Sequence, residues 1–164
     1  MIIRDAAEAD LPAIIEIYNA AIATRTSTAL FDPVSVEERV PWFRRHSPGE
    51  FPLWVADIKG QIVGWLSFHE FIHRPAYRGA VEISIYVHEK FRRRGIGRTL
   101  LDKAIVDAPR LKARALLGYV LGHNEASLAL FESAGFERWG RLPRLARFET
   151  AERDLVIVGR HVDQ

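Results

Sequence analysis

Between Arg78 and Glu89 the chain alternates strictly. Val81, Ile83, Ile85 and Val87 fall on one side, Glu82, Ser84 and Tyr86 on the other. That period of two predicts a strand with one face on a core. "MIIR" at the start, "PLWVADI" (52–58), "QIVGWLSFHEF" (61–71), "ARALLGYVL" (113–121), "FERWG" (136–140) and "RDLVIVGRHV" (153–162) also read as strands. The Lys59-Gly60 step between the second and third of these is a hairpin signal. Helical spacing runs through 10–23, where Leu11, Ile14, Ile15, Tyr18 and Ile22 form a stripe, Asp10 is a candidate N-cap and Pro12 fits the first turn. Ser35 and Glu38 have capping-box spacing and open a second helix, which Pro41 should kink or shorten. Leu100, Leu101, Ala104, Ile105 and Ala108 mark a third. "NEASLALFESAG" (124–135) is a fourth, ended by Gly135. The order β-α-α-β-β-β-α-β-α-β-β predicts one mixed α/β domain over residues 1–164, without repeats or linkers.

Composition narrows the function classes. The 164 residues are 48% hydrophobic and 27% charged, as in a globular protein with a sizeable core. The net charge is only +2, so there is no broad basic excess of the kind that marks a nucleic-acid binder. With no cysteine, disulfides, thiolate metal sites and a cysteine nucleophile are excluded. The N-terminal segment lacks a signal pattern and no apolar run reaches membrane-spanning length, so a cytoplasmic protein without membrane contact is expected.

Positive charge is instead local. "FRRRGIGRTLL" (91–101) sets Arg92, Arg93, Arg94 and Arg98 around Gly95 and Gly97, between the alternating strand and the third helix. A P-loop needs wider glycine spacing and a lysine. A dinucleotide fingerprint needs a third small residue, where Leu100 stands, and the first strand of a parallel sheet. What remains is an R-x-x-G-x-G loop whose glycines let backbone N–H groups approach a pyrophosphate at a helix N-terminus. A solvated basic helix start is the plainer alternative. "HEFIH" (69–73) has the spacing of a zinc-protease motif, but it continues a strand pattern and Pro75 follows; zinc chemistry needs a helix there, and no metal is expected.

"EISIYVHEKFRRRGIGRTLL" resembles the acetyl-CoA loop of the GCN5-related N-acetyltransferases. "GHNEASLALFESAGFERWG" resembles the second half of that fold. "IYNAAI", "ALFDPVSVEERVPWF", "AYRGAVEISIYV" and "DLVIVGR" are similar to segments of its phosphinothricin N-acetyltransferase branch. The resemblance implies a mixed sheet flanked by helices, in which the strands "EISIYV" and "ARALLGYVL" run parallel and splay into a V-shaped cleft for acetyl-CoA. It implies that backbone at Ile85, Tyr86 and Val87 meets the pantetheine and thioester, that Arg92, Arg93, Arg94, Gly95, Ile96, Gly97, Arg98 and Thr99 hold the pyrophosphate, and that Asn124, Ser127 and Phe131 face the cofactor arm. A simple N-cap role for Asn124 is compatible with this.

The branch also has a glutamate matching Glu82, which makes Glu82 the candidate general base for an incoming ammonium; a strand carboxylate in a salt bridge is the structural alternative. Phe31, Arg74, Pro75, Ala76, Tyr77 and Arg78 are the implied acceptor-binding residues, with arginines suited to the anionic groups of an amino-acid analogue. Two departures stand out. Phe131 occupies a position where many family members carry a proton-donating tyrosine, and Phe148 and Glu152 replace a lysine and tryptophan of well-known branch members. The implied activity is acetylation of a small amino-acid-like amine by a homodimer. Acetylation of a protein amine or another small amine, and a non-catalytic acyl-CoA-binding module, are the alternatives.

Overall fold

The computed structural model describes residues 1–163. Its strands and helices follow the expected order: β1 (Ile2–Asp5), α1 (Leu11–Ala23), α2 (Val36–Arg44), β2 (Leu53–Ile58), β3 (Gln61–Glu70), β4 (Ala80–Val87), α3 (Ile96–Asp107), β5 (Ala115–Leu121), α4 (Glu125–Ser133), β6 (Glu137–Arg147) and β7 (Glu152–His161). One seven-stranded sheet contains all the strands in the order β1-β2-β3-β4-β5-β7-β6. Every neighbouring pair is antiparallel except β4 and β5.

Alternation decides which side each helix covers. Val81 and Ile83 of β4 join Leu66, Phe68, Leu116, Val120 and the Leu100, Leu101 and Ala104 stripe of α3 in the larger core, with Leu128 and Phe131 of α4. On the opposite face Val55, Ile62 and Trp65 pack with Ile14 and Ile17 of α1, and Trp42, Phe43 and Tyr86 close around them. Gly118 belongs to this architecture. A Cβ there would lie 2.9 Å from Phe131 Cζ, so the bare backbone is what lets the Phe131 ring lie on β5.

Local signals held where side-chain caps are short-range. Ser35 accepts from Glu38 N–H at 3.1 Å and Glu38 accepts from Ser35 N–H at 2.8 Å. Gly135 ends α4 with φ +80°. α2 continues only three residues beyond Pro41, which removes an N–H from its middle turn. Two expectations need correction. Asp10 holds the N-cap position of α1, but its side chain does not cap the helix. It ends a 3₁₀ turn, and its carboxylate accepts from Ala7 N–H (2.7 Å) and from Arg4 (2.7 and 3.0 Å). The strong charge-assisted pair with Arg4 outcompetes a neutral cap. The sixth strand does not stop at Gly140 but runs to Arg147. Pro143 reads as a terminator, yet the register with β7 skips from Leu142 to Ala146, so residues 143–145 bulge out and pairing resumes.

Candidate functional site

The parallel pair is short. β4 and β5 are in register only at Ala80–Ala115, Val81–Leu116 and Glu82–Leu117, after which both strands continue without a common ladder. Their outer sides are fully paired, β4 to β3 and β5 to β7. Hydrogen-bond parity shows what the fork exposes. Phe71 N–H donates to Ala80 C=O and His88 N–H to Val63 C=O, so even-numbered β4 residues bond to β3 and the backbone of Ile85 and Val87 faces the gap. Tyr86 is on the other parity: its backbone belongs to the β3 ladder, while its ring turns to the α1 side. Gly122 N–H donates to Asp154 C=O and Val162 N–H to Arg114 C=O, which directs the backbone of Tyr119 into the gap from β5. An open edge of this kind offers unpaired donors and acceptors to whatever fills the gap.

Beyond the far end of β4 comes the arginine and glycine loop. Arg93 (φ +60°) and Gly95 (φ +79°) are left-handed on either side of Arg94. Such alternation at the N-terminus of α3 is a backbone geometry suited to turning successive N–H groups toward one anion. Gly95 has open space where a Cβ would be. Gly97 differs: a Cβ there would lie 3.2 Å from Leu130 Cδ2 and 3.6 Å from Val87 Cγ2, so this glycine serves close packing of α3 on α4 and β4.

The residues named from the sequence divide into those open to a ligand and those engaged within the fold. Arg94 stacks on Phe91 at 5.1 Å. Arg98 donates to Asp102 (2.8 Å) and to Ser133 C=O (3.1 Å), which ties α3 to α4. Arg92 and Arg93 are exposed. Thr99 Oγ1 donates back to Gly95 C=O at 2.9 Å, and the Ile96 side chain is buried. Asn124 is buried and accepts from Ser127 N–H at 3.1 Å, as an N-cap does. Phe131 is a core residue, edge-on to Phe136 at 5.0 Å between ring centroids.

Glu82, Ser84 and Tyr86 lie on the α1/α2 face, directly across from His69, Ser67 and Trp65 of β3. Glu82 is half-buried, and no ion pair among the described residues includes it. Burial pushes its carboxyl above the ordinary value. Gly118 presents its Cβ side to α4, so Tyr119 projects from β5 onto the same face as Glu82. Burial and, second, Glu82 raise the Tyr119 phenol. Phe71 stacks on Tyr119 (6.4 Å) and meets Tyr77 edge-on (6.1 Å). Tyr77 ends the turn Pro75–Tyr77, flanked by Arg74 and the exposed Arg78. Arg74 donates to His73 C=O at 2.8 Å. Phe31, in the α1–α2 loop, packs edge-on to Phe148 at 5.8 Å, and Arg25 holds its carbonyl at 2.8 Å.

Beside Glu82 is a cavity of about 80 Å³ between α1, α2 and the sheet. Ser67, His69, Ser84 and Tyr86 form its floor, and Tyr18, Arg39, Trp42 and Trp65 its walls. His69 Nε2 is 3.2 Å from Ser67 Oγ. Burial, reinforced by His46, Arg45 and Arg39, depresses the His69 imidazole to about 4, so it is neutral at pH 7. The zinc spacing thus has no common face. His69 is on β3 at the cavity, whereas His73 is exposed in a loop and paired with Glu70 at 3.0 Å. Neither the cavity nor Tyr119 was anticipated from the sequence. The alternation Trp65, Ser67, His69 along β3 carried the signal, since three polar-tipped residues on one strand face match Glu82, Ser84 and Tyr86 on the next.

A sheet forked between two parallel strands, a glycine and arginine turn at one end and a desolvated carboxylate beside the fork outline one cleft between β4 and β5. The acetyltransferase (GNAT) family model matches residues 14–136, and the chain belongs to that family. It is 43% identical to YwnH of Bacillus subtilis over 99% of each chain. It is 32% identical to the L-methionine sulfoximine/L-methionine sulfone acetyltransferase of Pseudomonas aeruginosa, over 98% of this chain and 94% of that one. Among solved structures, the phosphinothricin acetyltransferase of Sinorhizobium meliloti, in complex with acetyl-CoA, superposes with a TM-score of 0.92. It is 30% identical, with 98% of this chain and 88% of that chain covered.

Proposed function

We propose that the protein, acting as one N-acetyltransferase domain, moves the acetyl group of acetyl-CoA to the amine of a small amino-acid-like acceptor of the phosphinothricin or methionine sulfoximine type. The observation that carries this reading is the fork: backbone of Ile85, Val87 and Tyr119 faces a gap with Glu82 at its closed end. Pantetheine amides pair with those strands as a short added strand. The pyrophosphate lies on the loop from Arg92 to Thr99, with Arg92 and Arg93 as its free cations. Asn124 and Ser127 border the cofactor arm.

The acceptor arrives from the α1/α2 face as an ammonium. Glu82, a stronger base for being desolvated, takes its proton directly or through a water. The freed nitrogen attacks the thioester carbonyl in the ternary complex, and the gap-facing N–H of Ile85, nearer Glu82 along β4, meets the oxyanion. The C–N bond forms, the attacking nitrogen gives up its second proton to water, the C–S bond breaks, and CoA leaves as a thiolate that solvent protonates, since Phe131 has no proton to give. Arg74 and Arg78 meet the acceptor's carboxylate, with Phe31 and the Pro75–Tyr77 turn as walls. No metal enters the reaction.

We assign the protein to the cytoplasm as a homodimer on composition and family resemblance; no helix among the described residues is long and apolar enough to cross a membrane. The experiment is a titration with acetyl-CoA followed by addition of acceptor. Acetyl-CoA should raise the melting temperature, since a ligand at a hundred times its Kd stabilises by about 2.7 kcal/mol. CoA thiol should then be released only when an amine is added. Binding without acceptor-dependent release would instead identify an acyl-CoA-binding module.

A further inference from the structure

We propose that the cavity beside Glu82 is a subsite for the far end of the acceptor, and that it selects an oxyanion there through Arg39. The proposal rests on the acetyl-transfer reading, which places the acceptor amine at Glu82.

The lining is rich in donors and poor in negative charge. No aspartate or glutamate borders the cavity. Arg39 lies over the rings of Tyr18 (5.0 Å) and Trp42 (5.7 Å), and no ion pair among the described residues includes it. A guanidinium held over aromatic rings and outside any ion pair keeps N–H groups available for an incoming anion. Ser67 and Ser84 add two hydroxyls. His69, neutral at pH 7, brings no second charge.

Position and size fit the same reading. Ser84 is two residues from Glu82 on one strand face, a separation of roughly 6.8 Å. That is comparable to the reach from the amine of an α-amino acid to the oxygens of its γ-substituent. The volume of about 80 Å³ is several times the ~10–15 Å³ that one water requires. A compact tetrahedral head such as a phosphinate fits these limits. Arg74 and Arg78, outside the cavity, remain for the α-carboxylate.

Phosphinothricin and norvaline share an amine and an α-carboxylate and differ in their ends, one anionic and one apolar. The test is kcat/KM for each in the wild type, Arg39→Gln and Arg39→Lys, with the KM for acetyl-CoA and the melting temperature measured alongside. The wild type should prefer phosphinothricin. Arg39→Gln should lower that preference at least tenfold, and Arg39→Lys should retain part of it. The KM for acetyl-CoA should not move in any of them. A preference unchanged in Arg39→Gln would show that the cavity does not read the acceptor's far end and would overturn the proposal. Selective acetylation of norvaline by the wild type would overturn the subsite and leave the transfer reading standing. If the wild type acetylates neither acceptor, both fall together.

Discussion

Replacing Glu82 by Gln separates a catalytic carboxylate from a structural one, because the two roles predict opposite changes in stability. A strand glutamate held in a salt bridge loses stability when neutralised. Glu82 has no such partner, and its pKa is raised from 4.5 by burial. A raised folded-state pKa means that whatever stability the group contributes is present below pH 4.5 and is lost as pH rises through the shifted value. At pH 7 the buried charge is therefore a cost. Glu82→Gln should melt at the same temperature or higher. Its rate should fall, since loss of a general base lowers kcat/KM by roughly 10²–10⁴, or about 2.7–5.5 kcal/mol of barrier.

The pH profile adds a second signature to the same variant. An amine with pKa near 8 is about 10% free at pH 7 and about 90% free at pH 9, so the variant should recover about tenfold across that range; a lysine-like amine would recover about a hundredfold. The assay is CoA thiol release at saturating acetyl-CoA from pH 6 to 10, with a thermal melt of each protein. Near-normal activity at pH 7, or a marked drop in melting temperature, would refute the reasoning and make Tyr119 the next group to test.

Two further outcomes follow from the loop and the buried histidines. Gly95→Ala keeps open space around its new methyl but forces an L-residue to φ +79°, so it should lose about 1–2 kcal/mol of stability and weaken acetyl-CoA binding as the nest distorts. Unchanged melting and unchanged KM would remove the nest from the account. Acidification should destabilise the fold between about pH 6.5 and 4, because the unfolded chain protonates His69 before the folded one does. The neighbouring His46, also lowered by burial, acts in the same sense. His69→Gln should flatten that slope in chemical denaturation, and a slope equal to the wild type would contradict the burial argument.

Element order and type were legible because each strand and helix carries its own period and its own punctuation. The bulge at 143–145 was not, since a proline reads as an end while tertiary pairing with β7 carries the strand past it. Asp10 shows the same limit from the other side: a cap is a local prediction, and Arg4 is brought to it by the fold. Within the site, Glu82 and the glycine loop stand in contiguous motifs and were readable. The loop's two glycines still play different parts, the left-handed turn at Gly95 and close packing at Gly97, and spacing alone does not distinguish them. Arg39, Trp65 and Tyr119 come from α2, β3 and β5, so only the assembled sheet gathers them around Glu82.

The measurement that tests the central claim most directly is transfer of a labelled acetyl group. The purified protein is incubated with acetyl-CoA carrying isotopic carbon in its acetyl group and with phosphinothricin, methionine sulfoximine or a control lacking an amine, and the products are resolved by mass spectrometry. Direct attack at the fork predicts that the label appears on the acceptor nitrogen with one CoA released per acetyl transferred, that no labelled protein accumulates, and that Glu82→Gln suppresses the product at pH 7. Acetyl-CoA bound but recovered intact in the presence of every amine, or label retained on the protein, would contradict it.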